Sequence, residues 1–248
     1  MVAKPDHKLY QFHVSNLRSI EIAINNTALS ARKAIAEKNQ NAITSFVRLY
    51  SFLLGAWAET RLSKLLFEKN GITQDERRIV LSQQTQSERW HKAVEIAFRK
   101  QYNIPSAPLT EKTLPHSAFS RYASLVDILN NDLRSIIEIR NKLAHGQWVY
   151  PLNNEGSDVE TEKYNSLRQE NLLALKFKMS LITSLALIIH DLFVSMPTFE
   201  RDFDEHYKQI ITTRTNLQRR SYDKYAQMLI DKRQRGIAKR KKYAYQGN

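Results

Sequence analysis

The stretch "FSRYASLVDILNNDLRSIIEIRNKLAHG", residues 119–146, contains the pattern that decides the fold and one interruption of it. Its apolar residues recur at steps of three and four, the spacing of one buried face of an α-helix. They are Phe119, Tyr122, Leu125, Val126, Leu129, Leu133, Ile136 and Ile137. The next positions on this face are Arg140, Leu143 and Ala144. A guanidinium therefore occupies a core-type position, where it needs a partner because burying an unpaired charge is costly.

Similar periodicity covers most of the chain, whereas sustained apolar–polar alternation of the kind found in strands is absent. We predict helices at residues 8–37, 40–69, 74–101, 117–144, 161–195 and 199–235. Gly71 is expected to cap the second helix, and "TQDE" at 73–76 is a capping box for the third. The proline-containing segments 103–117 and 150–160 are predicted loops. Consecutive amphipathic helices with short links predict an all-α, antiparallel helical bundle.

The composition excludes several classes of protein. The chain has 248 residues, 42% of them hydrophobic, which is enough for a packed core. Its lack of cysteine excludes disulfides, zinc–thiolate sites and cysteine nucleophiles, and it fits the reducing cytoplasm, where we expect the protein. Charged residues interrupt the most apolar segment, 172–196, and the first residues contain no apolar run of signal-peptide length. We therefore expect residues 172–196 to form a core helix and not a membrane span.

The net charge of +13 is concentrated at the C-terminus. The last 38 residues contain eleven Lys and Arg against two Asp, a net charge of +9. We divide the chain into a helical bundle, residues 1–210, and a basic helical tail, residues 211–248. Such a tail indicates a polyanionic partner, either nucleic acid or an acidic protein, although a solvated tail without a specific partner fits the same charge. The candidate RNA-binding cations are Arg219, Arg220, Lys239 and Arg240, and the tyrosines interleaved with the basic residues are Tyr222, Tyr225, Tyr243 and Tyr245.

The segment after Arg140 contains a histidine where the helix is expected to end. In a continuous helix, Arg140 and His145 would point roughly 140° apart and could not share a target. A helix that ends near His145, with Gly146 in the left-handed conformation, removes this constraint. The histidine could then turn toward the same cleft as the arginine.

Residues 140–145, Arg-Asn-Lys-Leu-Ala-His followed by glycine, resemble the signature of the HEPN superfamily of all-helical ribonucleases and RNA-binding domains. That signature is Arg, four to six residues, then His, often with Asn, Asp or His directly after the Arg. The segment "LLGAWAETRLSKLLFE", residues 53–68, is similar to an earlier helix of the family and includes Glu59. The resemblance covers roughly residues 40–195, and the basic tail lies outside it.

The resemblance implies metal-independent RNA cleavage, in which the 2′-hydroxyl attacks the neighbouring phosphate. Imidazole can transfer protons near neutral pH, and arginine can bind the phosphoryl oxygens as charge develops. The implied catalytic residues are Arg140, Asn141 and His145, with Glu59 as a supporting residue. Lys142 and Trp148 are candidates for substrate binding. The resemblance further implies a homodimer with a composite site, a role as a toxin or phage-defence effector, and a neutralising antitoxin.

Three other interpretations fit the same residues. The chain could be a non-catalytic HEPN-type RNA-binding or scaffolding protein, or a helical module that binds an acidic protein. In a structural interpretation, Arg140 extends its charged end to solvent or pairs with Glu59 or Glu138, and His145 only contacts the helix end. Glu88 and His91 form a single Glu-x-x-His pair without the second copy that di-iron bundles use. We therefore expect no metal and no cofactor.

Overall fold

The computed structural model describes the backbone of residues 5–246 and the side chains of residues 6–240. Its α-helices are α1 (Pro5–Ala36), α2 (Gln40–Leu65), α3 (Gln74–Leu81), α4 (Gln86–Gln101), α5 (His116–Ile128), α6 (Arg134–Ala144), α7 (Thr161–Gln169), α8 (Leu172–Val194), α9 (Met196–Arg219) and α10 (Tyr222–Gln246). A π-helical turn, Leu129–Leu133, joins α5 to α6. Over the described residues the regular structure is helical, apart from one isolated bridge between Leu152 and Val159. The predicted all-α class is confirmed.

Helix α2 lies at the centre of the bundle. It packs along α1 and also against α6 and α8, while α8 packs along α9. Only residues 37–39 connect α1 to α2, and only residue 195 connects α8 to α9. Packed neighbours joined by such short links must run antiparallel. The core of the bundle, to which α4 also contributes, contains fully buried large side chains, among them Leu54, Leu62, Trp90, Phe98, Phe193 and Phe199.

Helix α8 is the most apolar element. It is long and apolar enough to cross a membrane by length and composition alone, with a mean hydropathy of 1.9 in its most apolar window. Half of that window is buried inside the bundle. Among the residues that the structure describes, no other helix passes this test.

Three of the predicted helices are interrupted, each just before a residue that caps a new helix. The predicted helix 74–101 ends at Leu81 and restarts as α4, where Thr85 and Glu88 form a capping box. Asn171 caps α8 through a hydrogen bond from the backbone N–H of Ala174. The last predicted helix divides between α9 and α10. A capping side chain satisfies the free backbone N–H groups of the new helix, so a helix can end and another begin within a few residues. The spacing of apolar residues continues across such a break and therefore does not reveal it.

The second and third helices test the two predicted caps. The capping box of Thr73 and Glu76 is present at the start of α3, as predicted. Helix α2 ends at Leu65, before the predicted cap at Gly71, which does not have a positive φ. The left-handed residue in this turn is instead Asn70, with φ 65°. Asparagine tolerates this conformation better than most residues. The C-cap of α2 is Leu66, so the prediction that Gly71 caps this helix was wrong.

The basic tail begins inside a helix and not at a linker. The predicted boundary between residues 210 and 211 falls within α9, in which Ile210 and Thr213 are buried. Helix α10 packs on α1, and Arg233 forms an ion pair with Glu37 at 2.9 Å. Tyr222 and Tyr225 are half-buried and pack against the core, and the side chains of Tyr243 and Tyr245 lie outside the described residues.

Candidate functional site

Arg140 lies where α6 crosses α2 most closely. A Cβ atom built on Gly55 of α2 would lie 2.4 Å from the Cβ of Arg140 and 2.7 Å from its Cγ. These distances are too short for any side chain, so the missing side chain of Gly55 is what lets the helices approach. The sequence analysis did not identify Gly55. An isolated glycine within the apolar run "LLGAW", residues 53–57, is the signal that could have indicated it.

The guanidinium of Arg140 is held by two partners. Its Nη2 donates a hydrogen bond to the Glu59 carboxylate, and its Nη1 donates to Oδ1 of Asn141 at 3.0 Å. Its Nε is buried and has no hydrogen-bond partner among the described residues. The side chain is 24% exposed. The core-type position of Arg140 is thus explained by an ion pair with Glu59, one of the two partners that the structural interpretation named.

The surroundings of Glu59 disfavour its ionised form. Burial raises the pKa of Glu59, and the charge of Arg140 and its hydrogen bond only partly oppose this, with a further contribution from Arg89. A raised pKa means that the ionised carboxylate is disfavoured at this position relative to water. The pair with Arg140 is what makes the charged form tolerable.

Helix α6 ends as the sequence predicts. His145 occupies the C-cap, and Gly146 has φ 77°, in the left-handed region. The N–H of Gly146 donates to the carbonyl of Leu143 at 3.1 Å, and the N–H of Gln147 donates to that of Lys142 at 3.0 Å. These two hydrogen bonds, from the first two residues after the C-cap back to carbonyls of the last helical turn, form a Schellman motif. It closes the helix and leaves His145 exposed at its end.

His145 lines a polar trough of about 630 Å³. The residues that α6 and its C-cap contribute are Arg134, Glu138, Asn141, Lys142 and His145. Positions 138, 141, 142 and 145 follow steps of three and four, so they share one helix face. Arg140 points instead toward α2 and is not among the lining residues. Within one chain, the structure therefore does not place Arg140 and His145 in the same pocket.

Asn141 connects the two environments. Its side chain accepts the hydrogen bond from Arg140, and the same residue lines the trough that contains His145. A group bound in the trough near Asn141 would lie beside the guanidinium without direct access to its buried Nε. Of the three predicted catalytic residues, Asn141 is therefore the one in contact with both parts of the site.

Lys142 is engaged in holding the loop that follows α6. Its Nζ donates to the carbonyl of Leu152 and forms an ion pair with Glu160 at 2.8 Å. The side chain is only 15% exposed. As a substrate-binding residue, Lys142 would have to leave these partners, so in this arrangement it anchors residues 146–160.

Glu138 is the centre of a second ion-pair network in the trough. Arg134 donates to its Oε1 at 2.8 Å, and Lys163 of α7 donates to its Oε2. Burial works to raise the pKa of Glu138, but the hydrogen bonds from Lys163 and Arg134 outweigh it and lower the pKa. This network ties α7 to α6 and neutralises the two cations that line the trough at this point.

A second histidine lies along the same surface. A neighbouring cavity of about 550 Å³ shares Arg134, Glu138 and Asn141 with the trough and extends to His91 on α4. Burial lowers the pKa of His91, partly opposed by a hydrogen bond with Asn130. Sequence reasoning treated His91 only as half of a metal pair with Glu88, but Glu88 is the capping residue of α4. Among the described residues, no group of three or more His, Asp or Glu side chains could hold a metal ion.

The remaining predicted binding residues lie elsewhere. The exposed residues Arg219, Arg220, Lys239 and Arg240 belong to the end of α9, the link after it, and α10. None of the four lines the trough that contains His145. The main neighbour of α10 is α1, whereas α6 packs mainly on α2. The structure does not join the basic tail to the motif.

Comparisons with family models, curated proteins and solved structures find no match to this chain. The interpretation of the site consequently depends on its residues and their geometry.

Proposed function

We propose that the protein is a metal-independent endoribonuclease of HEPN type. The observation that carries the proposal is the closed end of α6, which leaves His145 exposed on a polar trough, with Asn141 between it and the Arg140 guanidinium. The exposed imidazole of His145 can exchange protons with a bound substrate. A neighbouring guanidinium can stabilise charge on a phosphoryl group.

The reaction is a transesterification followed by release of the product. The 2′-oxygen of a ribose forms a bond to the adjacent phosphorus as its proton passes to a base, and the bond from phosphorus to the 5′-oxygen breaks. The leaving 5′-oxygen takes a proton from an acid. The products are a 2′,3′-cyclic phosphate and a 5′-hydroxyl end, and no metal enters the balance.

Two copies of the chain would complete the site. One chain supplies a single exposed histidine at the end of α6, whereas the reaction uses an acid and a base. Asn141, Ala144 and His145 are all exposed at this end of the helix, so it is free to face a second copy. In such a homodimer the two histidines divide the acid and base roles.

The biological setting follows from the resemblance alone. Ribonucleases of this type act as toxins or abortive-infection effectors in the cytoplasm, and a neutralising antitoxin, protein or RNA, restrains them. The basic tail, residues 211–248, would add affinity for RNA through its phosphates. None of these roles requires a cofactor.

A second candidate is a non-catalytic RNA-binding or scaffolding protein. One observation favours it: Arg140 and Lys142 are both already paired, with Glu59 and Glu160. A phosphate that binds either cation must compete with a carboxylate, which reduces the gain from binding. In that case the exposed cations of the tail supply the affinity, and His145 has no part in chemistry.

The test incubates purified protein with total RNA in EDTA. Wild-type protein is compared with a variant that carries both Arg140→Ala and His145→Ala, and the ends of the products are identified by mass spectrometry. We expect cleavage by the wild type only, with cyclic phosphate ends. Equal binding by both proteins without cleavage would select the second candidate, and products with 5′-phosphates would exclude this mechanism.

A subunit-mixing experiment tests the composite site. Wild-type chains are paired with doubly substituted chains through two different affinity tags, and the purified heterodimer is assayed. An inactive heterodimer supports a site that needs residues from both copies. Half of the wild-type activity would mean that each chain holds a complete site.

A further inference from the structure

The loop after α6, residues 146–160, is fixed by contacts along its length. Lys142 holds it at Leu152 and Glu160, and the N–H of Glu160 donates to the carbonyl of Pro151 at 2.8 Å. The side chain of Gln147 accepts a hydrogen bond from the N–H of Leu152 at 2.9 Å. A loop with this many internal bonds presents its outward side chains in a fixed arrangement.

The first residues of this loop nevertheless expose large side chains. Trp148 is 38% exposed, Val149 60% and Tyr150 57%. The indole Nε1 of Trp148 donates to the carbonyl of Leu143 at 3.0 Å, which fixes its orientation at the end of α6. Adjacent exposed apolar side chains in an otherwise well-bonded loop mark a binding surface more often than isolated ones do.

Tyr150 is the outer member of a stack that continues onto α7. Its ring lies 5.7 Å from that of Tyr164, centroid to centroid, with only 8° between the planes. The Arg168 guanidinium lies 5.5 Å from the Tyr164 ring centroid, and its Nη1 donates to the Tyr164 hydroxyl at 3.3 Å. Tyr164 and Arg168 are four residues apart on α7, so the helix itself sets this pair. We name Tyr150, Tyr164 and Arg168 the aromatic stack.

We propose that the aromatic stack, with Trp148, binds an unstacked nucleobase of single-stranded RNA next to His145, an inference that rests on the proposed function. Unpaired bases stack on aromatic rings and on guanidinium planes, whereas duplex bases have no free face. Asn154 of this loop lines the trough that contains His145, and its side-chain amide could bind the base edge. The bound nucleotide would place its phosphate toward the end of α6.

The chemistry of the surface favours a base over a protein segment. Its exposed groups are flat rings and a cation, and Val149 is the only aliphatic side chain among Trp148, Val149 and Tyr150. Aromatic and arginine side chains are also frequent at protein interfaces, so the net charge of +13 is what favours a polyanionic partner here. A flat, π-rich surface beside a cation matches the general chemistry of single-strand recognition, which is tolerant of sequence.

The test measures binding separately from cleavage. All proteins carry His145→Ala, so that RNA is not consumed, and a fluorescent single-stranded 12-mer and its duplex are titrated by anisotropy. Removing a ring from one base-stacking contact costs about 1–3 kcal/mol, so Tyr150→Ala should weaken single-strand binding by about tenfold. Tyr150→Phe should retain it, and binding of the duplex should change little. Phe12→Ala, at a residue 52% exposed on α1, is the matched control and should have no effect.

Three outcomes overturn the inference. Equal single-strand affinity of Tyr150→Ala and its parent removes the subsite, and cleavage by the wild-type protein would then show that the proposed function survives. An equal loss of affinity for the single strand and the duplex would mean that the aromatic stack does not bind an unpaired base. Conversion of a dimer to a monomer by Tyr150→Ala, measured by light scattering, would assign the surface to a second copy. Absence of cleavage by the wild type, with single-strand binding that depends on Tyr150, would instead remove the catalytic proposal and keep the subsite.

Discussion

The two ends of the Arg140–His145 motif occupy different physical environments. Arg140 is pressed against α2, beside Gly55, and is paired with Glu59 across 81 residues of sequence. His145 lies at the exposed C-cap, where the helix ends by local hydrogen bonds alone. A motif that is continuous in sequence is thus divided between a packed crossing and an open helix end. We therefore expect substitutions at the first end to affect stability most, and substitutions at the second end to affect mainly the proposed activity.

The largest expected effect is functional and lies at the exposed end. His145→Ala should lower the rate of RNA cleavage by on the order of 10²-fold, because general acid–base catalysis contributes about that much. Its free energy of unfolding should change by less than about 0.5 kcal/mol, since the side chain is exposed. Steady-state cleavage and urea denaturation of the same preparation measure both. If His145→Ala destabilised the protein as much as a core substitution does, the proposed difference between the Arg140 end and the His145 end would be wrong.

The next effect is at the packed crossing. Gly55→Ala should reduce the free energy of unfolding by about 2 kcal/mol, because the added methyl group overpacks the interface by more than alanine gains in helix propensity. The clash is with the Cβ of Arg140, which cannot rotate away. The matched control is Gly236→Ala in α10, where an added Cβ meets no atom within 4 Å. The control should stabilise the protein by about 0.5–1 kcal/mol, and equal effects of the two substitutions would show that α2 and α6 do not cross so closely.

The ion pair of Arg140 and Glu59 should show a smaller, measurable coupling. A double-mutant cycle with Arg140→Ala and Glu59→Ala isolates the pair energy, for which we expect about 1–2 kcal/mol, between the values of exposed and buried pairs. Both side chains are about a quarter exposed, which limits the gain through solvent screening. The cycle is measured by urea denaturation. Additive single effects would mean that the pair contributes nothing and that Arg140 is free to bind phosphate.

The smallest expected effect is a shift in carboxylate pKa, and its direction is opposite for Glu59 and Glu138. The pKa of Glu59 is raised and that of Glu138 is lowered relative to the ordinary value of 4.5. In an NMR titration, Glu59 should therefore take up its proton at a higher pH than Glu138.

The same shifts determine how each carboxylate affects stability. For Glu138, the stabilisation is complete above the unfolded pKa and is lost as pH falls through the lowered folded pKa. For Glu59, the folded state binds its proton more readily, so the corresponding stability is present below the unfolded pKa and is lost as pH rises through the raised folded pKa. Comparing wild type with Glu138→Gln at pH 7 and pH 3 measures the first case. A difference that grows on acidification would contradict the assignment.

The sequence alone determined the features that local hydrogen bonds and periodicity control. The all-α class, the capping box at Thr73 and the left-handed Gly146 all depend on residues within a few positions of each other. Their side chains and backbone satisfy one another whatever the rest of the chain does. The loops predicted at residues 103–117 and 150–160 follow from proline in the same local way, although α5 begins at His116, one residue before the first predicted loop ends.

The tertiary structure decided where the motif residues point and what they meet. The partner of Arg140 and the Gly55 crossing come from α2, and the ring that stacks on Tyr150 comes from α7. No repeat of three or four residues encodes such contacts, because they depend on how separate helices pack. The sequence could name Arg140 as a residue in need of a partner, since a buried charge must be paired. Only the packing of α6 on α2 selected Glu59 as that partner, and it directs Arg140 away from the surface on which His145 lies.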